Sequence, residues 1–179
     1  MRAMNGQIGV TFRRLEHTDV GAILEIISDC RREYGLENRV QAILEPSDYA
    51  LFEVYQRLRS AYFIAVVDGE IAGGAGVAPL ADSGGSMCEL QRMYLRRAYR
   101  GVGVGRALLA RCLQVAQEFE FEYCYAETIS EMTTAIAFYD RHGFRRLMRP
   151  VGRSGHNHND CWMVLDLREQ SGPTVGEWQ

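Results

Sequence analysis

The sequence has no apolar run long enough to cross a membrane, and no apolar export signal near its first residues. Its five cysteines are odd in number and scattered along the chain, so they indicate free thiols in a reducing compartment rather than a disulfide framework. These features predict a cytoplasmic protein that is neither inserted in a membrane nor held together by disulfide bonds.

Internal repeats, linkers and compositional boundaries are also missing. Of the 179 residues, 47% are hydrophobic and 24% are charged, which is an ordinary composition for a soluble protein. A chain of this length can bury a core without staples. We expect residues 1–179 to form a single domain, with its core at about 8–167 and a disordered tail at 170–179.

The sequence contains few signals for the binding of nucleic acid or metal ions. The formal net charge is −3, and the basic pairs are scattered rather than arranged in a stripe with aromatic residues. His156, His158, Asp160 and Cys161 are potential metal ligands, but they lie in a glycine-rich loop without a second ligand cluster. We therefore expect no nucleic acid, no membrane and no metal among the partners.

Acidic residues are absent from residues 91–117, where six arginines fall. Within this segment glycine occupies every second position from Gly101 to Gly105. An apolar stripe at helical spacing begins there, formed by Val104, Leu108, Cys112, Val115 and Phe119. Because bare backbone at the positive end of a helix lets several N–H groups converge on one anion, the segment predicts a diphosphate site.

The glycine spacing fits neither of two common nucleotide-binding loops. It lacks the GK[ST] ending of a P-loop, and it lacks the G-x-G-x-x-G spacing of a dinucleotide-binding fold. It resembles the acyl-CoA pyrophosphate loop of the GNAT superfamily of N-acetyltransferases, [RQ]-x-x-G-x-[GA]. The resemblance implies that cofactor contacts come from Arg100, Gly101, Val102, Gly103, Val104, Gly105 and Arg106.

The order of predicted elements supports the same resemblance. Periodicity and turn signals predict strands at 8–13, 62–67, 71–80, 87–95, 123–128, 144–148 and 161–167, and helices at about 18–35, 46–58, 104–119 and 131–143. This is the GNAT order, an α/β (α+β) fold with a mixed, mostly antiparallel sheet of about seven strands flanked by about four helices. The motifs E-L-x-R-M-Y-L, R-G-V-G-V-G-R and A-I-A-F-Y-D-R-H-G-F carry the resemblance.

Two strands contain irregular features. The apolar phase of the fourth strand passes from Cys88 and Leu90 to Met93 and Leu95, which predicts a bulge. The third strand contains three glycines within residues 73–76, which weaken it unless a bulge or the close approach of another backbone requires them.

Turn and cap signals give further local predictions. Asp68-Gly69 predicts a type I′ hairpin turn. Thr18 is a candidate cap for the first helix, and Thr128-x-x-Glu131 is a candidate capping box for the last. The second helix is expected to bury Leu51, Val54 and Leu58.

Two side chains match catalytic positions of the family. Glu89, four residues before Met93, stands where several members place the general base, and a raised pKa would suit that role. A surface strand residue or a partner for Arg92 is the alternative. Tyr139 matches the tyrosine that hydrogen-bonds the thioester sulfur, either stabilising the thiolate or giving it a proton, and a core aromatic is its alternative.

The resemblance also implies a role for backbone. Met93, Tyr94 and Leu95 would pair with the pantetheine arm like an added strand, with the Leu95 N–H facing the thioester oxygen. One departure from the family concerns Met132, which stands where many relatives carry asparagine.

The resemblance thus implies an N-acetyltransferase that uses acetyl-CoA and the primary amine of a small molecule or peptide. A transferase for longer acyl-CoA and a non-catalytic acyl-CoA sensor remain alternatives, and homodimers are common in the family. We expect the acceptor amine between residues 34–45 and residues 152–160, with His156 and His158 near it and Glu89 at the bottom of the cleft.

Overall fold

The computed structural model describes residues 9–35, 50–154 and 159–169. Its strands are β1 (Val10–Arg14), β2 (Ala61–Val67), β3 (Glu70–Pro79), β4 (Met87–Leu95), β5 (Tyr123–Thr128), β6 (Arg145–Leu147) and β7 (Cys161–Asp166). The α-helices of this described part are α1 (Val20–Arg32), α2 (Leu51–Val54), α3 (Val104–Glu118) and α4 (Thr133–Arg141). The tail predicted at 170–179 and the start predicted for the second helix fall outside the described residues.

The seven strands form one sheet in the order β1-β2-β3-β4-β5-β7-β6. Neighbouring strands are antiparallel except β4 and β5, which run parallel. This architecture confirms the predicted fold class. The parallel pairing joins only Met87–Glu89 to Tyr123–Tyr125, although β5 continues along β7 to its end. Beyond Glu89 the two strands part, and the sheet opens between them.

Helices cover both faces of the sheet. Side chains of a strand alternate between faces, and in β2 Phe63 and Ala65 join the core that contains α3, whereas Tyr62 and Ile64 join the core that contains α1 and α2. We call the α3 side the lower face and the α1 side the upper face. Tyr139 places α4 on the lower face.

The predicted bulge in β4 is present. The register of β4 against β3 shifts by one residue around Arg92, and this residue has a φ of 49°. The extra residue brings Met93 and Leu95 to the lower face, where Cys88 and Leu90 also pack. The change of apolar phase in the sequence is therefore the mark of the bulge.

Close approach explains the glycines of β3. A Cβ atom at Gly73 would overlap the carbonyl oxygen of Tyr94, and one at Gly74 would overlap the ring of Tyr62. Any larger residue would push β4 or the tyrosine ring away. The predicted close approach is confirmed.

The hairpin prediction is confirmed, whereas the cap predicted for the first helix is wrong. Asp68 and Gly69 have φ of 51° and 84°, as a type I′ turn requires. Thr18 lies inside a short 3-10 helix, His17–Asp19, that precedes α1. The carboxylate of Asp19 accepts the Glu16 N–H at 2.8 Å, so the capping interaction belongs to this turn.

Two predictions about helix ends are also wrong. Thr128 still pairs within the sheet, and its hydroxyl donates to the Met132 sulfur at 3.4 Å instead of capping α4. Leu51 of α2 is buried as predicted, but Leu58 is 89% exposed because α2 ends at Val54. Thr128 thus lies before α4 begins, at Thr133, and Leu58 lies after α2 has ended.

Candidate active site

Glu89 lies at the point where β4 leaves β5. Its side chain faces the upper side and is only 3% exposed, so the alternative of a surface residue is excluded. Its Oε2 accepts a hydrogen bond of 2.6 Å from the Gln91 amide, whose oxygen accepts one of 2.9 Å from the Tyr55 hydroxyl. Burial raises the pKa of Glu89 to about 8, and the negative charge of Glu127 adds to the increase.

Glu127 approaches Glu89 from β5. It lies two residues beyond Tyr125, the register partner of Glu89, and therefore on the same face. One of its oxygens accepts the Tyr125 hydroxyl at 2.9 Å, and the other accepts the Asn159 amide at 3.0 Å. Within the described ranges Glu127 makes no ion pair. The upper side of the opening therefore carries two carboxyl groups.

Tyr139 approaches the opening from the lower face. Its side chain is 8% exposed and packs against Phe138 and Phe144, with ring centroids 5.6 Å and 5.3 Å away. No other described residue forms a hydrogen bond with its hydroxyl. Burial raises the pKa of Tyr139 above its ordinary value, so the phenol keeps its proton at neutral pH.

The glycine-rich turn presents free backbone donors. Gly101 and Gly103 have φ of 76° and 95°, and nothing lies within 4 Å of a Cβ built on either residue. No N–H group from Gly101 to Arg106 donates to another described residue. Val104 is fully buried and anchors the start of α3, while Val102 is 48% exposed. This arrangement suits an anion at the helix start.

The arginines around this turn fall into two groups. Arg96 pairs with Glu25 at 3.2 Å, and Arg100 pairs with Glu33 at 2.6 Å. Arg97 and Arg106 are exposed and make no ion pair with any described residue. The second pair of arginines is therefore available to a bound anion.

The backbone predicted to meet the pantetheine arm lies at the opening. Met93 and Leu95 pack on the lower face, and a Cβ built on Gly105 would lie 3.3 Å from Leu95 Cδ1. Tyr94 faces the upper side, where its hydroxyl accepts a hydrogen bond of 3.4 Å from Arg31 Nε. The structure therefore brings this segment next to the glycine turn.

The predicted acceptor segments are only partly described. His156 and His158 lie outside the described residues, as does most of the segment 34–45. No group of three or more histidine, cysteine, aspartate or glutamate side chains in the described chain is arranged to hold a metal ion. Asp160 instead accepts hydrogen bonds from the Ser130 backbone at 2.7 Å and hydroxyl at 2.9 Å.

Sequence comparison identifies the family. The model of the Acetyltransferase (GNAT) family matches residues 22–144. The uncharacterized N-acetyltransferase YjgM of Escherichia coli (strain K12) is 35% identical over 156 residues, which cover 87% of this chain and 93% of YjgM. The chain belongs to the GNAT acetyltransferase family. It is an acyl-CoA-dependent acetyltransferase.

Solved structures share the fold. A GNAT acetyltransferase from Staphylococcus aureus Mu50 has a TM-score of 0.78 at 18% identity, over 89% of this chain and 99% of that one. PaiA N-acetyltransferase from Thermoplasma acidophilum, solved with coenzyme A, has a TM-score of 0.72 at 16% identity, with the same coverage. YncA from Salmonella typhimurium, solved with acetyl-CoA, has a TM-score of 0.66 at 22% identity, over 93% and 98% of the two chains.

Sequence reasoning missed several residues around the site. Gln91 and Tyr55 orient Glu89, and Glu127 acts on its charge. The signal for Glu127 was present, because a charged residue within the apolar run of β5 is unusual in a buried strand.

No described helix is both long and apolar enough to span a membrane.

Proposed function

We propose that this enzyme transfers the acetyl group of acetyl-CoA directly to the primary amine of a small molecule or peptide. The observation that carries the proposal is the position of Glu89, buried on the upper face where β4 and β5 part. Tyr139 reaches the same opening from below. A thioester lying in the opening would therefore have a base on one side and a hydrogen-bond donor on the other.

The site fits the donor's diphosphate and pantetheine parts. The N–H groups of 101–106, which donate to no described residue, and the charges of Arg97 and Arg106, which pair with none of them, would hold the diphosphate. The edge of β4 from Met93 to Leu95, which β5 leaves uncovered, would pair with the pantetheine amides. Two proteins with this fold were solved with coenzyme A and with acetyl-CoA, which supports acetyl-CoA as the donor.

Glu89 and Tyr139 take separate roles in this proposal. Glu89, with a pKa raised by burial to about 8, accepts a proton from the amine as the new C–N bond forms. Tyr139 has a raised pKa and stays protonated, so it stabilises the leaving thiolate by a hydrogen bond rather than by giving up its proton.

The acceptor would enter from the upper face. Glu127 places beside Glu89 a carboxylate that makes no ion pair with any described residue, which favours an acceptor that carries positive charge. The homodimer and the cytoplasmic location stay predictions.

The proposal is tested with a panel of amines that includes n-butylamine, 1,4-diaminobutane, amino acids and short peptides. Thiol release from acetyl-CoA is measured with each amine, and propionyl- and butyryl-CoA are compared as donors. We expect amine-dependent release that is fastest with acetyl-CoA and is lost in Glu89→Gln. A preference for a longer acyl group, or the absence of amine-dependent release, would overturn the proposal.

A further inference from the structure

Arg100 already makes contacts within the protein that are not expected of an arginine kept available to bind a diphosphate. Its Nε donates to the Leu95 carbonyl at 2.8 Å, and its Nη1 and Nη2 donate to the Glu33 carboxylate at 2.6 Å and 3.1 Å. Nη2 also lies 3.0 Å from the Cys30 sulfur, whose thiol donates to the same Leu95 carbonyl at 3.2 Å. Arg100, Cys30 and Glu33, which we call the Leu95 clamp, thus join the turn before α3 to the C-terminal end of α1.

The Leu95 clamp holds a backbone carbonyl that faces the opening. In an antiparallel pair, successive residues of a strand turn their N–H and C=O groups to opposite edges. The Arg96 N–H donates to the Ala72 carbonyl of β3 at 2.8 Å, so Leu95 directs both of its backbone groups to the other edge. That edge is the one β5 has left. The two hydrogen bonds received by the Leu95 carbonyl agree with this orientation.

We propose that Arg100 is a positioning residue that orients the Leu95 N–H toward the thioester oxygen, and that it is not a ligand of the diphosphate. This inference rests on the proposed function, to which it adds that the Leu95 N–H stabilises negative charge developing on that oxygen. The Leu95 carbonyl and N–H belong to adjacent peptide groups, and in an extended strand both point to the same edge. Holding the carbonyl therefore restricts the backbone rotation that would turn the Leu95 N–H away from the opening.

The charges around the turn support a positioning role for Arg100 and a diphosphate-binding role for Arg106. The Glu33 carboxylate already neutralises Arg100 through two hydrogen bonds, so this side chain offers little net attraction to a phosphate. Arg106 is exposed at the first turn of α3 and has no ion-pair partner among the described residues. A bidentate arginine–carboxylate pair is also rigid, which suits a clamp better than a point contact with a substrate.

Two acetyl donors distinguish a positioning role of Arg100 from a role in binding the diphosphate. S-acetylpantetheine carries the thioester and the pantetheine arm but lacks the diphosphate, whereas acetyl-CoA has all three. Thiol release from both donors is measured for wild type, Arg100→Gln and Arg106→Gln, with the fastest amine of the panel and separately with water alone as the acceptor. The affinity for CoA is measured by calorimetry, which needs no acceptor.

For Arg100→Gln we expect kcat to fall about tenfold or more with both donors by the same factor, while the Kd for CoA changes by less than about threefold. Glu33→Gln keeps the Nε bond to Leu95 and should give a smaller loss with the same donor pattern. It keeps the inference testable if Arg100→Gln does not fold. A loss confined to acetyl-CoA would make Arg100 a diphosphate ligand, and unchanged rates would remove it from the site, so either result overturns the inference.

Arg106→Gln is the matched comparison. The proposed function expects its loss to be confined to acetyl-CoA, with the Kd for CoA rising about tenfold. If Arg106→Gln instead leaves CoA binding unchanged, the proposed diphosphate site is wrong. The Arg100 result is still decided by its own comparison of the two donors.

Discussion

The side-chain amide of Gln91 donates a hydrogen bond of 2.6 Å to Oε2 of Glu89. Because the Gln91 oxygen accepts the Tyr55 hydroxyl at 2.9 Å, the amide nitrogen is the end that faces the carboxyl group. This hydrogen bond lowers the pKa of Glu89, but burial raises the pKa by a larger amount, and the net value is about 8. The carboxyl group therefore changes its charge close to physiological pH, as a general base for an amine should.

The first prediction concerns the pH dependence of turnover. In the wild-type enzyme kcat/KM should rise with pH through an apparent pKa of about 8, because Glu89 must be ionised to accept a proton. Glu89→Gln should lower kcat/KM by about 10² or more and abolish this rise. The measurement is a pH profile of both proteins, and a limb that survives in the variant would assign the titration to another group.

The second prediction concerns stability. Since burial raises the pKa of Glu89 from 4.5 to about 8, the folded protein binds more protons than the unfolded chain between these values. Its stability should therefore decrease as pH rises across this window, by about 1.4 kcal/mol for each unit of pKa difference. Glu89→Gln should remove this contribution. The free energies of unfolding of both proteins are measured in urea at pH 5 and pH 8.5. If stability changes between these pH values by the same amount in both proteins, the prediction is contradicted.

The third prediction separates Glu127 from Glu89. Glu127→Gln keeps acceptors for the Tyr125 hydroxyl but removes the negative charge that helps to raise the pKa of Glu89. The limb of the pH profile should move to lower pH, yet stay above the ordinary glutamate range because burial is unchanged. Glu70→Gln, an exposed carboxylate at the start of β3, is the matched control. A profile that does not move would place Glu127 outside the site.

Sequence patterns predicted the sheet better than the helix ends. β4 and β5 have the predicted bounds, because their apolar residues alternate as the two faces of a covered sheet require. Thr128 carried a capping signal, but it pairs with Cys161 across β5 and β7. The ladder of the sheet thus prevailed over a local preference.

The positions proposed as catalytic, Glu89 and Tyr139, followed from family motifs, whereas their surroundings did not. Tyr55 lies 36 positions from Gln91, and Glu33 lies 67 from Arg100. Such contacts depend on how α1 and α2 pack on the sheet, which periodicity within a segment does not encode. The pKa of Glu89 was equally beyond the sequence patterns, because it depends on burial, and burial is set by the same packing.

The fourth prediction concerns the leaving group. Tyr139→Phe removes the hydroxyl and keeps the ring between Phe138 and Phe144. We expect kcat to fall about tenfold to a hundredfold, since the thiolate loses a hydrogen bond, while CoA affinity and thermal stability hold. The variant should be affected less with donors whose thiol has a lower pKa. Uniform losses across such donors would indicate a packing role for Tyr139.

The last prediction concerns the contact between β3 and β4. A methyl group at Gly73 would overlap the Tyr94 carbonyl and lie 2.8 Å from the Leu95 Cα atom, so Gly73→Ala should force the strands apart beside the site. We expect a loss of about 2 kcal/mol in the free energy of unfolding, together with a lower kcat. Gly21→Ala is the control, because Gly21 lies in α1 with nothing within 4 Å of its Cβ position. That substitution should leave kcat unchanged and stabilise the protein by about 0.5 kcal/mol. Urea unfolding and steady-state kinetics of both variants decide the matter. If Gly73→Ala is as stable and active as the wild type, β4 has room to move, and its backbone is not held by this contact.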